Sequence, residues 1–178
     1  MKKYLFTLIL ILLFFESNSQ EQTYVPDDKF EEYLIDLGVD DVMDDYVLTS
    51  NISDITNINL DVGDNIIGIE DFTSLEFLQL NGNPNATISS VNLSSLNWIN
   101  KLYIHSITSL NTIILPEENS SLSLVNIHSN SLTEVDFSQQ ENLLYLNIQE
   151  DLSSMDLSNN PQLKDLRIKN PFLSEIDL

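Results

Sequence analysis

Two dipeptides, His105-Ser106 and His128-Ser129, carry the residue types of a hydrolytic site in this 178-residue chain. An imidazole can act as general base to a serine hydroxyl. The arrangement also needs a group that orients the imidazole and a tight turn that presents the nucleophile. Neither an orienting carboxylate nor a G-x-S-x-G turn accompanies either pair. The same two imidazoles fall short of the three or four protein ligands that zinc requires. Asp40, Asp41, Asp44 and Asp45 form an acidic run whose oxygens suit calcium, but the spacing and the central glycine of an EF-hand loop are missing. A solvated acidic surface is the reading taken for them. The chain has no cysteine, which removes thiol nucleophiles, zinc-thiolate sites, disulfides and thioether or thioester lipid anchors. Its four glycines, Gly38, Gly63, Gly68 and Gly82, are scattered and make no phosphate-cradling loop. The expectation is a chain without catalysis, cofactor or resident metal.

Charge narrows the partners. Seven Lys and Arg stand against 28 Asp and Glu, a formal net charge of -21. Such a chain lacks the clustered cations that nucleic acid demands. Met1-Lys2-Lys3, the apolar run Tyr4 to Phe15 and the small residues of Ser17-Asn18-Ser19 have the three parts of a secretory signal. The apolar run is shorter than the ~20 residues that span a bilayer. Cleavage before Gln20 is expected, leaving an exported chain that is not an integral membrane protein. Residues 1–19 carry +1, so residues 20–178 carry -22. Residues 20–76 hold 16 acids and one base, whereas residues 77–178 hold 11 acids and four bases.

The elements that position any site come from a repeat. Leu163-x-x-Leu166-x-Ile168 is followed by Leu173-x-x-Ile176-Asp177-Leu178, and the same phrase precedes it at Leu143/Leu146/Ile148 with Leu152/Met155/Leu157. Earlier copies run Leu122/Val125/Ile127, Ile99/Leu102/Ile104, Leu75/Leu78/Leu80 and, more divergent, Ile55/Ile58/Leu60. The copies begin at 55, 75, 99, 122, 143 and 163. Each opens with an alternation of period two, which predicts a strand with one buried face. Polar turns such as Asn81-Gly82-Asn83-Pro84 and Asn119-Ser120-Ser121 follow. No copy buries its apolar face alone, but stacked copies share a continuous core.

This phrase resembles the leucine-rich repeat over residues 55–178, and its "L-x-x-V-D-L-S" tails resemble those of secreted bacterial members. The resemblance implies an α/β repeat solenoid, a right-handed superhelix with a parallel concave sheet. The family's turn asparagine fits Asn83 and Asn130, while Gly63, Ile107, Asp151 and Pro171 stand at the corresponding places. The remaining turns must therefore be satisfied otherwise. Residues 20–50 read as a helical N-terminal cap: Pro26-Asp27-Asp28 opens the helix, and Asp28 with Glu31 has capping-box spacing. Phe30, Leu34 and Leu37 face inward, Glu31, Glu32 and Asp36 face solvent, and Gly38 ends the helix. With Gly68-Ile69-Glu70-Asp71-Phe72 this segment resembles the start of internalin-like proteins. Residues 51–178 supply about six repeats and no evident C-terminal cap. The readings of that end are a fragment of a longer protein, or self-association through the last repeat.

Between the core positions, alternate residues must point outward from the sheet. Three columns result: Asn57, Phe77, Lys101, Leu124, Tyr145, Asp165; Asn59, Gln79, Tyr103, Asn126, Asn147, Arg167; and Asp61, Asn81, His105, His128, Gln149, Lys169. They hold three of the five bases of residues 20–178 but two of the 27 acids. Amides and aromatic rings on a rigid surface suit recognition of a protein or a glycan. The candidate binding residues are Phe77, Gln79, Lys101, Tyr103, His105, Asn126, His128, Tyr145, Asn147, Gln149, Arg167 and Lys169. The expected function is a secreted binding module; the alternative is a structural segment of a larger cell-surface adhesin or envelope protein.

Overall fold

A computed structural model describes residues 20–117, 121–129, 131–170 and 172–178. Residues 1–19, Asn119, Ser120, Asn130 and Pro171 lie outside the described residues.

The N-terminal segment comprises β1 (Gln22–Tyr24), α1 (Asp28–Asp36), β2 (Tyr46–Leu48) and the single turn α2 (Thr49–Ile52). Strands β1 and β2 pair antiparallel. The repeats then run through β3 (Asn57–Asp61), β4 (Phe77–Asn81), β5 (Ser90–Asn92), β6 (Lys101–His105), β7 (Thr112–Ile114), β8 (Leu124–His128), β9 (Tyr145–Ile148), β10 (Ser154–Asp156), β11 (Asp165–Ile168) and β12 (Glu175–Asp177). Six of these strands form one parallel front sheet in the order β11-β9-β8-β6-β4-β3. The fold is a parallel-sheet solenoid of about six turns, and its described helices longer than three residues lie in the N-terminal segment.

The alternation of apolar residues explains the front sheet directly. Ile58 and Leu60, Leu78 and Leu80, Leu102 and Ile104, Val125 and Ile127, and Leu146 and Ile148 all point inward and are at most 1% exposed. Each such side chain contributes roughly 1.5–3 kcal/mol on burial. Only the next turn of the chain can cover it, so stacking is obligatory. The last copy is less covered: Leu166 and Ile168 are half-buried, and Ile176 is exposed.

The back of the solenoid is less regular. The second apolar triplets form strands that pair as β5 with β7 and as β10 with β12. The first copy has a 3-10 turn at Ile69–Asp71 instead. Residues 132–137 contain no strand, so the back ladder is interrupted at the fourth copy.

Serine hydroxyls, one further asparagine and one buried carboxylate take the place of much of the expected asparagine ladder. Asn83 behaves as expected, donating through Nδ2 to the Val62 carbonyl at 2.7 Å. Elsewhere Ser109 donates to the Ile88 carbonyl at 2.7 Å, and Asn170 to the Leu152 carbonyl at 2.5 Å. Ser131 donates its hydroxyl to the Leu110 carbonyl. Glu150, 1% exposed, accepts the backbone N–H groups of Ser129, Ser131 and Leu132 and the Ser129 hydroxyl. A buried carboxylate without a cation is tolerable only when donors surround it in this way.

The N-terminal helix corrects three expectations. Its N-cap is Asp27, whose Oδ1 accepts from the Lys29 and Phe30 N–H groups at 3.0 Å each. Asp28 is therefore the first helical residue, and the Asp28–Glu31 capping box does not form. Glu31 faces inward at 1% exposure, and its Oε1 accepts the Asp44 and Asp45 N–H groups at 2.6 and 2.7 Å. The helical period placed it outward because the 40–45 loop that folds over it was invisible in sequence. Leu37 is the third correction: it is 46% exposed, because the helix has already ended. Gly38, at φ +73°, terminates the helix as expected, with its N–H on the Ile35 carbonyl and that of Val39 on the Leu34 carbonyl.

Asp27 also ties this segment to the first repeat. Its Oδ2 accepts from Asp64 N–H at 2.5 Å and Asn65 N–H at 3.1 Å. A methyl group on Gly63 would lie 2.5 Å from the same oxygen, so only glycine leaves room for the carboxylate. On the front, the Tyr33 hydroxyl accepts the Asn59 N–H at 3.1 Å.

Candidate functional site

The strand register places the outward residues in the anticipated columns. Asn57, Phe77, Lys101, Leu124, Tyr145 and Asp165 are successive cross-strand partners, as are Asn59, Gln79, Tyr103, Asn126, Asn147 and Arg167. Asp61, Asn81, His105 and His128 continue the third column. Gln149 and Lys169 fall just beyond their strands, and their N–H groups extend the ladder to the Ile127 and Ile148 carbonyls. One residue of slippage would turn all of these side chains into the core. The buried apolar set prevents it.

Three kinds of surface lie along this sheet. At the N-terminal end, amides bond mainly to one another: Gln79 Nε2 to Asn81 Oδ1 at 2.9 Å, and Asn81 Nδ2 to Asn59 Oδ1 at 2.8 Å. In the middle, the Phe77 and Tyr103 rings are 5.4 Å apart and tilted by 36°. Tyr103 meets the His105 ring edge-on at 6.0 Å. Such offset and edge contacts suit the ring quadrupoles. Toward the C-terminal end the face dips.

That dip is a depression of about 210 Å³, lined by Tyr103, Leu124, Asn126, Tyr145, Asn147, Asp165 and Arg167, with buried Val125 and Leu146 beneath. Asn147 Nδ2 donates to Asn126 Oδ1 at 3.2 Å. Each amide keeps its other half available, since a primary amide offers two donors and an acceptor. Arg167 forks onto Asp165, with Nε–Oδ1 at 3.2 Å and an Nη–Oδ2 contact at 2.9 Å. The arginine side chain remains 71% exposed. Lys101, on the opposite flank, is exposed and makes no ion pair among the described residues. The apolar floor was not legible as a depression from sequence. Leu124 is the signal that could have found it, being the one aliphatic residue in the outward columns.

The catalytic and metal alternatives fare differently. His105 and His128 are register partners, but the serine that follows His128 is not presented to them as a nucleophile. Ser129 is fully buried, with its hydroxyl on Glu150. Ser106, at φ +59°, uses its N–H on the His128 carbonyl. Burial, and secondarily the neighbouring His128, holds the His105 imidazole below its ordinary pKa. Among the described residues no three His, Asp or Glu side chains converge as metal ligands. Asp40, Asp41, Asp44 and Asp45 do not converge either. Asp40 accepts the N–H of Asp41, Asp44 accepts that of Tyr46, and the amides of Asp44 and Asp45 close onto Glu31. No helix among the described residues is long and apolar enough to cross a membrane.

No family model matches the chain, and no curated protein matches it. Among solved structures it is similar to the functional domain of InlJ from Listeria monocytogenes, at 23% identity and a TM-score of 0.65, over 83% of this chain. The chain spans about a third of that neighbour's length, matching 33% of it. The neighbour is described as including a cysteine ladder, whereas this chain contains no cysteine and holds its turns with serine, amide and carboxylate side chains. The likeness establishes the leucine-rich-repeat solenoid fold.

Proposed function

We propose that this chain is an exported leucine-rich-repeat module that binds a protein through its front, concave sheet. The observation that carries the reading is the depression between Tyr103 and Tyr145. It combines the half-buried Tyr103 ring and the exposed Tyr145 ring, an aliphatic floor and the half-free Asn126 and Asn147 amides on a rigid parallel sheet. Central aromatic anchors with nearby hydrogen-bonding groups are what dominate binding energy at protein interfaces. The sheet is held from behind by its own core, so the surface is pre-organised and little ordering entropy opposes association. The surrounding acidity of residues 20–76 keeps the remaining surface from competing for the same contacts.

The test begins with peptides selected from a random display library on the immobilised chain. Tyr103→Ala combined with Tyr145→Ala is expected to weaken the selected binders at least tenfold while the circular dichroism spectrum is kept. Unchanged affinity would place binding elsewhere. A neutral oligosaccharide is the second reading, favoured by the half-free Asn126 and Asn147 amides beside the tyrosine rings. It predicts saturable binding on a glycan array that the same double substitution removes. Export through residues 1–19 is part of the proposal; N-terminal sequencing of secreted material should start at Gln20.

A further inference from the structure

The depression on the front sheet is flanked by cations at a spacing that specifies its occupant more narrowly. At about 210 Å³ it is smaller than the ~300–1,000 Å³ typical of small-molecule sites. It has the scale of a side-chain socket. Its floor is Leu124 and its walls are the Tyr103 and Tyr145 rings, so the group that enters is apolar.

The cations lie on either side across the strands. The socket is centred between β8 and β9, the strands that carry Leu124 and Tyr145. Lys101 is on β6, one strand before β8, in register with Leu124; Arg167 is on β11, one strand beyond β9, in register with Asn147. Neighbouring strands are ~4.8 Å apart, so each cation-bearing strand lies about 7 Å from the socket centre. An extended peptide rises ~3.3 Å per residue and presents residues i, i+2 and i+4 on one face. Two residues of such a peptide therefore span the distance from the socket to either cation. Lys101 has no ion pair among the described residues, and the fork of Arg167 onto Asp165 engages only two of its five N–H groups.

Resting on the protein-binding reading above, we infer that the Tyr103–Tyr145 socket takes the central side chain of an extended protein segment of the form acidic-x-apolar-x-acidic, laid across β6, β8, β9 and β11. The apolar residue fills the socket, and the two carboxylates meet Lys101 and Arg167. Long polyanions are disfavoured, because residues 20–178 carry 27 acids against five bases and the attraction is confined within a Debye length of ~8 Å.

The test uses fluorescein-labelled twelve-residue peptides with the centre Glu-Ser-Phe-Ser-Glu, read by fluorescence anisotropy. Replacing the central Phe by Ala, or both Glu by Lys, should each weaken binding about tenfold. Shifting one Glu to the adjacent position should weaken it about threefold. The decisive arm is a charge swap: Lys101→Glu with Arg167→Glu should reverse the preference, so that the Lys-Ser-Phe-Ser-Lys peptide binds better than the Glu-Ser-Phe-Ser-Glu peptide. These residues are exposed and outside the core, so the doubly substituted chain should keep its melting temperature. Leu124→Glu, which puts a charge on the socket floor, should abolish binding of the original peptide. Equal affinity for all the peptides, or a preference unchanged by the swap, overturns the inference. Binding of neutral oligosaccharides lost on Tyr103→Ala with Tyr145→Ala, with no peptide preference, overturns it too while leaving the front-face reading standing.

Discussion

Asn81 and Asn83 stand two residues apart and do opposite things. The Asn83 amide turns behind the sheet and donates to the Val62 carbonyl of the preceding copy. Asn81 stays on the front and bonds the side chains of Gln79 and Asn59. The same contrast divides most of the polar residues. Those in the turns, Asp27, Ser109, Ser131, Glu150 and Asn170, bond backbone groups that would otherwise be orphaned. Those on the front bond largely to one another, as Asn126 and Asn147 do. A polar group that satisfies a buried backbone group is needed by the fold; one that bonds only an exposed neighbour can be given up to a ligand. Polar richness alone does not mark a binding face. What matters is which partner each group already holds.

Substitutions should separate the two classes. The largest loss is expected at Glu150: Glu150→Ala leaves three backbone N–H groups and a buried hydroxyl without their acceptor and should cost about 3–5 kcal/mol in urea unfolding. Glu150→Gln, which keeps one acceptor oxygen, should recover part of that. Asp27→Ala comes next, at about 2–3 kcal/mol, since it removes a helix cap and the link to residues 64–65 together. On the front, Tyr103→Ala with Tyr145→Ala should cost only about 1 kcal/mol of stability, chiefly the Phe77–Tyr103 contact, despite removing two large rings. Asn81→Ala should cost less than about 1 kcal/mol. A front-face substitution that matched Glu150→Ala in stability would break the division.

The smallest expected effect is a pH dependence. His105 has a folded pKa below its ordinary 6.5, through burial and the nearby His128. The unfolded chain therefore takes up the proton first. The contribution is present above about 6.5 and is lost as pH falls through that value towards the lower folded pKa. The ring is only half-buried, so the slope should be shallow. Comparing urea midpoints of the chain and of His105→Gln across pH 5 to 8 measures it, and an identical pH profile would remove His105 as its source.

Much of the front sheet was legible because its determinant is periodic. Leu78, Leu102 and Leu146 at fixed offsets specify strand, inward face and register at once, and the outward columns follow by alternation. The turns were less legible. Glu150 stands next to Asp151, the residue aligned with the family's turn asparagine, yet Glu150 does the bonding because its longer side chain reaches back to residues 129–132. Glu31 was misplaced for a related reason: helical periodicity orders residues relative to their own helix, and the 40–45 loop belongs to another part of the chain. The back-ladder interruption at 132–137 was equally hidden, since Leu132, Val135 and Phe137 keep the spacing of the copies that do form strands.

The sequence by itself determined that the apolar residues of six copies must stack, because no copy can cover its own leucines. It also determined which side chains face outward, because a strand has a period of two. Only the tertiary structure decided which polar groups are already held and where the front face dips. Those depend on contacts between residues about twenty positions apart, and on side-chain reach, neither of which a local pattern encodes. Leu124 is an exception to a polar column in the sequence. It becomes the floor of a socket only when Tyr103 and Tyr145 are brought to either side of it.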